Sequence, residues 1–277
     1  TRCGNNLRQI GLAMHGHHDS RGRLPPSILA RVHSPEMPLL GHQFVGALFF
    51  LLPYMEEAGI YDSVSASLDT SVDHYPGGPT SGSLRIQPWW TNVATFTAAQ
   101  TRIPTFLCPS TNPYANKRTF SNFYTFPDTN VEGSNWATPM PQLGRTNYAP
   151  SAGGCGNHTR DDWQRYAGMF WSRSRNRFRN VEDGLSKTVA FGEVLGGYDG
   201  ATLDLAFTWM GMGDMPSAWG LAVPLNRPLW YQHGSEHQGV LMVGLGDASV
   251  RPLSDATDED VMLFVTGMRD GHAESGL

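Results

Sequence analysis

The sequence has 277 residues, enough for one large domain or two small ones with a sizeable core. Its 31 glycines and 19 prolines exceed ordinary usage and only 16% of residues are charged, which predicts turns and long irregular connections and excludes a helical bundle. A formal net charge of −5 argues against a nucleic-acid partner, and the longest apolar run, from Phe44 to Met55, falls short of the ~20 residues that span a bilayer.

In chain order, Leu7, Ile10, Gly11, Met14 and His18 recur at helical spacing, which predicts an amphipathic helix over 2–18. It should end before Gly22, where Leu24-Pro25-Pro26 enforces an extended exit. Residues 44–61 carry a second helical pattern, kinked or restarted at Pro53. Residues 62–165 read as loop-rich, with a short helix at 95–100, a strand at 104–109 and a short extended piece at 147–149. Strands are predicted at 168–171, 187–193 and 206–210, and residues 239–246 and 249–253 flank a tight turn at Asp247-Ala248 as in a hairpin. Thr257, Asp258, Glu259 and Asp260 offer a cap and an acidic first turn for a last helix reaching residue 268. A helix first, an antiparallel sheet later and no βαβ alternation give an α+β class, read as one domain over 1–277: a helix in 1–20, loop-rich insertions in 62–165, and the sheet and terminal helix in 168–277.

The three cysteines, Cys3, Cys108 and Cys155, lack the Cys-x2-Cys spacing of a zinc site, so a metal site would have to recruit histidines. An odd count allows one disulfide and one free thiol. A Cys3–Cys108 bridge would tie the first helix to a distant segment and presumes an oxidising compartment. Cys155, in a glycine-rich run, suits neither a core position nor an activated nucleophile.

Several clusters are candidates for chemistry, each with a plainer alternative. His15, His18 and Asp19 could hold a transition metal from one helical face, although histidines at a helix end also satisfy its last carbonyls; His17 should point away into solvent. Arg173, Arg175, Arg177 and Arg179 alternate, so an extended segment would array them on one face to grip an anion, or simply leave them solvated. Trp89 and Trp90, in a loop-like stretch, could stack on a sugar or pack the loop onto the domain. Asp183, Glu193, Asp199, Asp214 and Asp247 could include a calcium site, without EF-hand spacing. His233-Gly-Ser-Glu236-His237 formally fits the His-x-x-Glu-His zinc motif, but its glycine and serine favour a loop entering the strand at 239. No Gly-x-Ser-x-Gly, Walker loop or dinucleotide fingerprint occurs, and a non-enzymatic protein is expected.

Taken together, Cys3-Gly-Asn-Asn-Leu-Arg-Gln-Ile-Gly-Leu-Ala-Met-His15, Leu51-Leu-Pro-Tyr-Met-Glu56, Phe106-Leu-Cys-Pro-Ser110, Thr146-Asn-Tyr-Ala149, the block from Val181 to Glu193, and His237 followed after nine residues by Asp247 resemble the family called domain of unknown function 1559. That family is abundant in planctomycetes and has prepilin-type amino termini. The resemblance implies a type IV pilin-like or pseudopilin-like protein, outside the cytoplasm and anchored by a membrane half of the helix that would precede this sequence. Residues 1–20 would be the carboxy-terminal half of that helix, and the partners would be like subunits and a pilus or secretion machinery. An extracytoplasmic module binding carbohydrate or another small ligand through loop tryptophans is the alternative. At the last turn Ala248 replaces the family's glycine. Since a type I′ turn needs positive φ at both centres, a different turn type is predicted, with Ala248 outside the left-handed region.

Overall fold

In a computed structural model, which describes residues 2–30, 42–70, 87–126, 130–136, 142–199, 202–222 and 229–272, the first element is helix α1 (Arg2–Arg21). Its buried stripe is Cys3, Leu7, Ile10, Ala13, Met14 and, one turn on, His17. Gly22 ends the helix at φ +69°, the left-handed conformation that closes many helices, and its N–H reaches the His18 carbonyl at 2.7 Å.

The second helical pattern breaks where Pro53 sits. Helix α2 (Ala47–Leu51) is wholly buried, a 3-10 turn follows at Leu52–Tyr54, and α3 (Ala58–Ser65) restarts beyond it. Helix α4 (Val93–Ala98) is capped by the Asn92 side chain, which accepts from the Ala94 and Thr95 amides. The strand predicted at 104–109 is instead a 3-10 turn at Pro104–Phe106, favoured by the fixed φ of Pro104.

Residues 62–165 correct the loop-rich expectation. They contain the hairpin of β1 (Arg118–Phe126) and β2 (Asn130–Trp136), then the short strands β3 (Arg145–Thr146) and β4 (Tyr148–Pro150) and a single turn, α5 (Asp161–Gln164). Further along lie β5 (Val189–Glu193), β6 (Gly197–Asp199), β7 (Thr202–Thr208), β8 (Val240–Leu245), β9 (Val250–Ser254) and α6 (Glu259–Thr266), whose amino end is capped by Asp258. The strand predicted at 168–171 is absent: beside an isolated bridge from Gly153 to Ala167, the Gly168 amide reaches the Ala152 carbonyl and the Trp171 carbonyl accepts from the Ser27 amide.

Two sheets result. One runs β2-β1-β7-β3 with β6 also on β7; its β1–β7 pairing is parallel over Arg118–Phe120 against Leu205–Phe207. The other is antiparallel throughout, in the order β4-β5-β8-β9. Helix α1 packs on this second sheet, against β5, β8 and β9, and its buried stripe joins Tyr148, Ala190 and Phe191 in the main core. The chain first passes from one sheet to the other across one residue, Asn147, between β3 and β4, and crosses again between β5 and β6 and between β7 and β8. The α+β class is therefore met, with a long helix laid on antiparallel strands.

The β8–β9 turn corrects one expectation and meets another. Of Gly246, Asp247 and Ala248 only Ala248 has positive φ, at 64°. Its amide reaches the Leu245 carbonyl, and Leu245 in turn bonds Ser249, so the loop is a three-residue turn with Ala248 at the left-handed position rather than type I′. Helix α1 explains the tolerance. A Cβ on Gly11 would stand 2.9 Å from the Ala248 Cβ, so the absent side chain at Gly11 lets the buried Ala248 methyl close against the helix. Burial of that methyl offsets the left-handed penalty of roughly 1 kcal/mol.

Candidate functional site

The place where α1, the loop before β1 and the second sheet meet is built around Asn147. Its side-chain oxygen accepts from the Cys108 amide at 3.0 Å, its Nδ2 donates to the Val194 carbonyl at 3.3 Å, and its amide reaches the Phe106 carbonyl. One side chain thus holds the segment carrying Cys108 beside the end of β5 that carries Glu193. From the helix, Asn6 donates to the Leu107 carbonyl at 2.9 Å and to the Tyr148 hydroxyl at 3.3 Å. With the chain fixed on both flanks, Cys3 and Cys108 form a disulfide with their Cα atoms 5.3 Å apart, spanning 105 residues. The proposed pairing is therefore present, and Cys155 is the free cysteine.

Beside the disulfide sit Glu193 and His237. Glu193 is 2% exposed. Its Oε2 accepts from the Met242 amide at 2.7 Å, and its Oε1 faces His237 Nε2 at 3.2 Å. Burial raises the Glu193 pKa above the ordinary carboxylate value, against the opposing pull of the Met242 amide, Ser235 and His237. Oε1 makes no hydrogen bond of good geometry and has His237 Nε2 as its ion-pair neighbour. His237 Nε2 also stands 3.5 Å from the Cys108 sulfur, and Ser110 Oγ is 2.9 Å from that sulfur on another side. Among the described residues this is the one place where several His, Cys, Asp or Glu donors converge: those of Cys3, Cys108, Glu193 and His237 lie within 4.8 Å of one another.

Neighbouring groups shape the pocket without joining it. His233 is fully buried with Nδ1 on the Glu193 carbonyl at 3.3 Å, and burial lowers its pKa to about 4, so it is neutral. It fits because Gly192 has no side chain: a Cβ there would stand 2.6 Å from His233 Nδ1. No helix forms around 233–237, in line with a loop rather than a helical zinc motif. Burial also raises the Tyr148 pKa, so its phenol stays protonated.

Other candidate residues fare differently. His15, His18 and Asp19 do not converge on one point, although His18 Nδ1 lies 3.7 Å from Asp19 Oδ1. His15 Nε2 bonds the Gly246 carbonyl at 2.8 Å, His15 and His18 both stack on Phe178 at centroid distances of 4.4 and 4.2 Å, and the Asp19 carboxylate is exposed. His17, expected in solvent, is buried edge-on to Phe50 and Tyr54 with Nδ1 on the Arg23 carbonyl; burial lowers its pKa to about 4.

Trp89 is fully buried, its indole N–H on the Ser121 carbonyl, which corrects its reading as a sugar platform; Trp90, partly exposed, stacks on Phe44. The arginine run is not an extended strand. Arg173 sits at φ +55°, 7% exposed, donating to the Ala30 carbonyl. That kink breaks the alternation, so Arg173 leaves the shared face, while Arg175, Arg177 and Arg179 stay exposed. Burial, and then the nearby charges of Arg175, Arg21 and Arg177, depress the Arg23 pKa just beyond the end of α1.

The calcium candidates are dispersed. Asp214 binds Ser27 and Thr125, Asp183 takes the Asp270 and Gly271 amides, Asp247 caps its own turn at Ser249, and Glu193 belongs to the disulfide pocket; the Asp199 side chain lies outside the described residues. Cys155 is buried, contrary to expectation, and burial together with the nearby Asp214 charge pushes its thiol up to about 12. His237 precedes and Asp247 follows the six-residue strand β8, so they mark two ends of one strand rather than one site.

The arrangement defines a disulfide-clamped α+β domain in which a long helix is sealed to an antiparallel sheet. A family model described as a protein of unknown function (DUF1559) matches residues 1–225, and the chain belongs to that family. The matched span carries Cys3, Cys108 and Glu193 and stops short of His237. No curated protein and no solved structure matches the chain.

Proposed function

We propose that the protein is a non-enzymatic, extracytoplasmic structural subunit of the pilin-like or pseudopilin-like type, assembling through its first helix and anchored in the membrane by a segment upstream of this sequence. The observation that carries this reading is α1: twenty residues long, laid by one face on a four-stranded antiparallel sheet and covalently sealed to the fold within its first turn. The opposite face of α1 is left outward, with Arg2, Asn5, Arg8, Gln9 and the 55% exposed Leu12 along it. An exposed leucine between polar residues suits a helix that gains neighbours on assembly. The disulfide fits an oxidising compartment, and like subunits and a secretion or pilus machinery are the partners this reading requires.

The test places a photo-reactive amino acid at Arg8 or Leu12 of the natural full-length gene product in its own cells. Irradiation should give a ladder of cross-linked copies of the same chain from the membrane fraction. Uncross-linked monomer at both positions, or recovery only from the cytosol, would overturn the reading.

A further inference from the structure

The Cys3–Cys108 pocket has more donors than a disulfide needs. A structural disulfide is complete once its sulfurs are joined and packed. Here a buried carboxylate points one oxygen at the same spot, making no aligned hydrogen bond although His237 Nε2 stands 3.2 Å away. The other oxygen is held by the Met242 amide, so Oε1 is fixed in aim rather than loosely placed. An imidazole nitrogen faces both that oxygen and a sulfur, at 3.2 and 3.5 Å.

Two sulfurs, one imidazole nitrogen and one carboxylate oxygen are the donor types that bind zinc, at about 2.0–2.3 Å from the ion. Tetrahedral geometry then sets such donors roughly 3.3–3.8 Å from one another. The Nε2–Oε1 and Nε2–Sγ distances already stand close to that spacing, and all four donor atoms fall within 4.8 Å. What an ion would require is separation of the two sulfurs, which reduction of the bond supplies.

We propose that the dithiol form of this protein binds one zinc-class divalent ion through Cys3 Sγ, Cys108 Sγ, His237 Nε2 and Glu193 Oε1, so that the seal between α1 and the sheet has two interchangeable forms, disulfide and metal. The exchange balances simply. A dithiol reductant gives two electrons and two protons, its own sulfurs join, the Cys3–Cys108 bond breaks and two thiols form. Metal binding then releases both thiol protons to solvent. The Ser110 hydroxyl, 2.9 Å from the Cys108 sulfur, is placed to donate to the thiolate, and the partly exposed edge of His237 gives the ion a way in. The ion would pin four segments where the disulfide pins two.

The experiment uses the purified chain in two states, air-oxidised and reduced with dithiothreitol, the latter freed of reductant under argon. Each is titrated with cobalt(II), followed by its thiolate charge-transfer and tetrahedral ligand-field absorption, and then with zinc(II). One equivalent of cobalt should bind the reduced chain and be displaced by zinc, while the oxidised chain gives no such spectrum. Glu193→Gln and His237→Ala should each weaken binding at least ~10-fold. Their oxidised forms, checked by circular dichroism, show whether the fold survives. Cys155→Ala should bind as the parent does. If the reduced chain loses structure without metal, zinc should restore its far-ultraviolet spectrum. Absence of a stoichiometric spectrum, equal binding by the oxidised chain, dependence on Cys155, affinity unchanged in both pocket variants, or a reduced chain that zinc cannot refold would each overturn the proposal.

Discussion

Asp214 and Glu193 are both buried acids, yet their surroundings differ in kind. Asp214 is enclosed by donors: Ser27 Oγ on one oxygen, Thr125 Oγ1 and the Thr125 amide on the other. It staples the loop after α1 to the first strand of the mixed sheet. Glu193 has a single backbone donor and leaves Oε1 facing His237 and a disulfide. Burial raises both pKa values, but the cause of retention differs. A carboxylate saturated by neighbours serves the fold, whereas one left short of partners in a cluster of metal-ligating side chains is poised for something else.

That contrast can be broken most forcefully at the disulfide. Replacing Cys3 and Cys108 together by serine closes no loop in the unfolded chain, and the 105-residue span predicts a loss of ~4–5 kcal/mol in denaturant unfolding. A loss under ~1 kcal/mol would mean that packing alone seals α1. Next, Asp214→Ala strands the Ser27 and Thr125 donors in the interior and should cost about 3 kcal/mol or more by the same measurement.

The Asp214 carboxyl has a pKa raised from 3.8 to about 6 by burial, so the folded state holds its proton more tightly than the unfolded state. Its stabilising contribution is complete below about pH 4, falls as pH rises toward 6 and is flat above. His17 acts in the opposite sense: with its pKa lowered from 6.5 to about 4, its contribution is present above pH 6.5 and lost as pH falls toward 4. The difference in unfolding free energy between the parent and Asp214→Asn isolates the acid and should slope downward only between about pH 4 and 6. A flat difference would remove Asp214 as a buried, proton-holding group.

Smaller effects sharpen the helix-backed side. Gly11→Ala drives a methyl to 2.9 Å from the Ala248 Cβ and should cost ~1–3 kcal/mol, largely restored by adding Ala248→Gly. Glu193→Gln should change stability by less than ~1 kcal/mol, because the amide oxygen can still accept from Met242. A loss matching that of Asp214→Ala would erase the distinction between the two acids.

The helix-backed sheet was readable in the sequence because its elements follow simple periods. Leu7, Ile10 and Met14 mark one face of α1, the apolar run of β8 stops at a turn, and Asp258 caps α6. The mixed sheet was not. Strand β1 buries both faces, and its Thr119, Ser121, Asn122 and Thr125 are interior, so the apolar alternation that signals a strand never appears. Those polar groups are tolerated inside because they are bonded, Ser121 to the Ser134 carbonyl and Thr125 to Asp214.

The candidate site divides the same way. Cys3 with Cys108 could be paired from their count and context, and Glu193 and His237 each stood in a recognisable block. Their meeting depends on Asn147, whose hydrogen bonds reach 39 residues back to Cys108 and 47 residues on to Val194, and no local pattern reports that. His17 misled because its place on the helix says nothing of Phe50 and Tyr54 folding over it.

The position of the bridge also decides how the molecule answers a mechanical pull. Cys3 lies in the first turn of α1, so tension entering at the start of the helix passes at once through covalent bonds to residue 108. The helix cannot be peeled from that end, and the loop closed by the bridge, a sequence separation of 105, is shielded from extension. Fully stretched, such a span would add roughly 350 Å of length. Oxidised, the protein withholds that slack; reduced, it can release it.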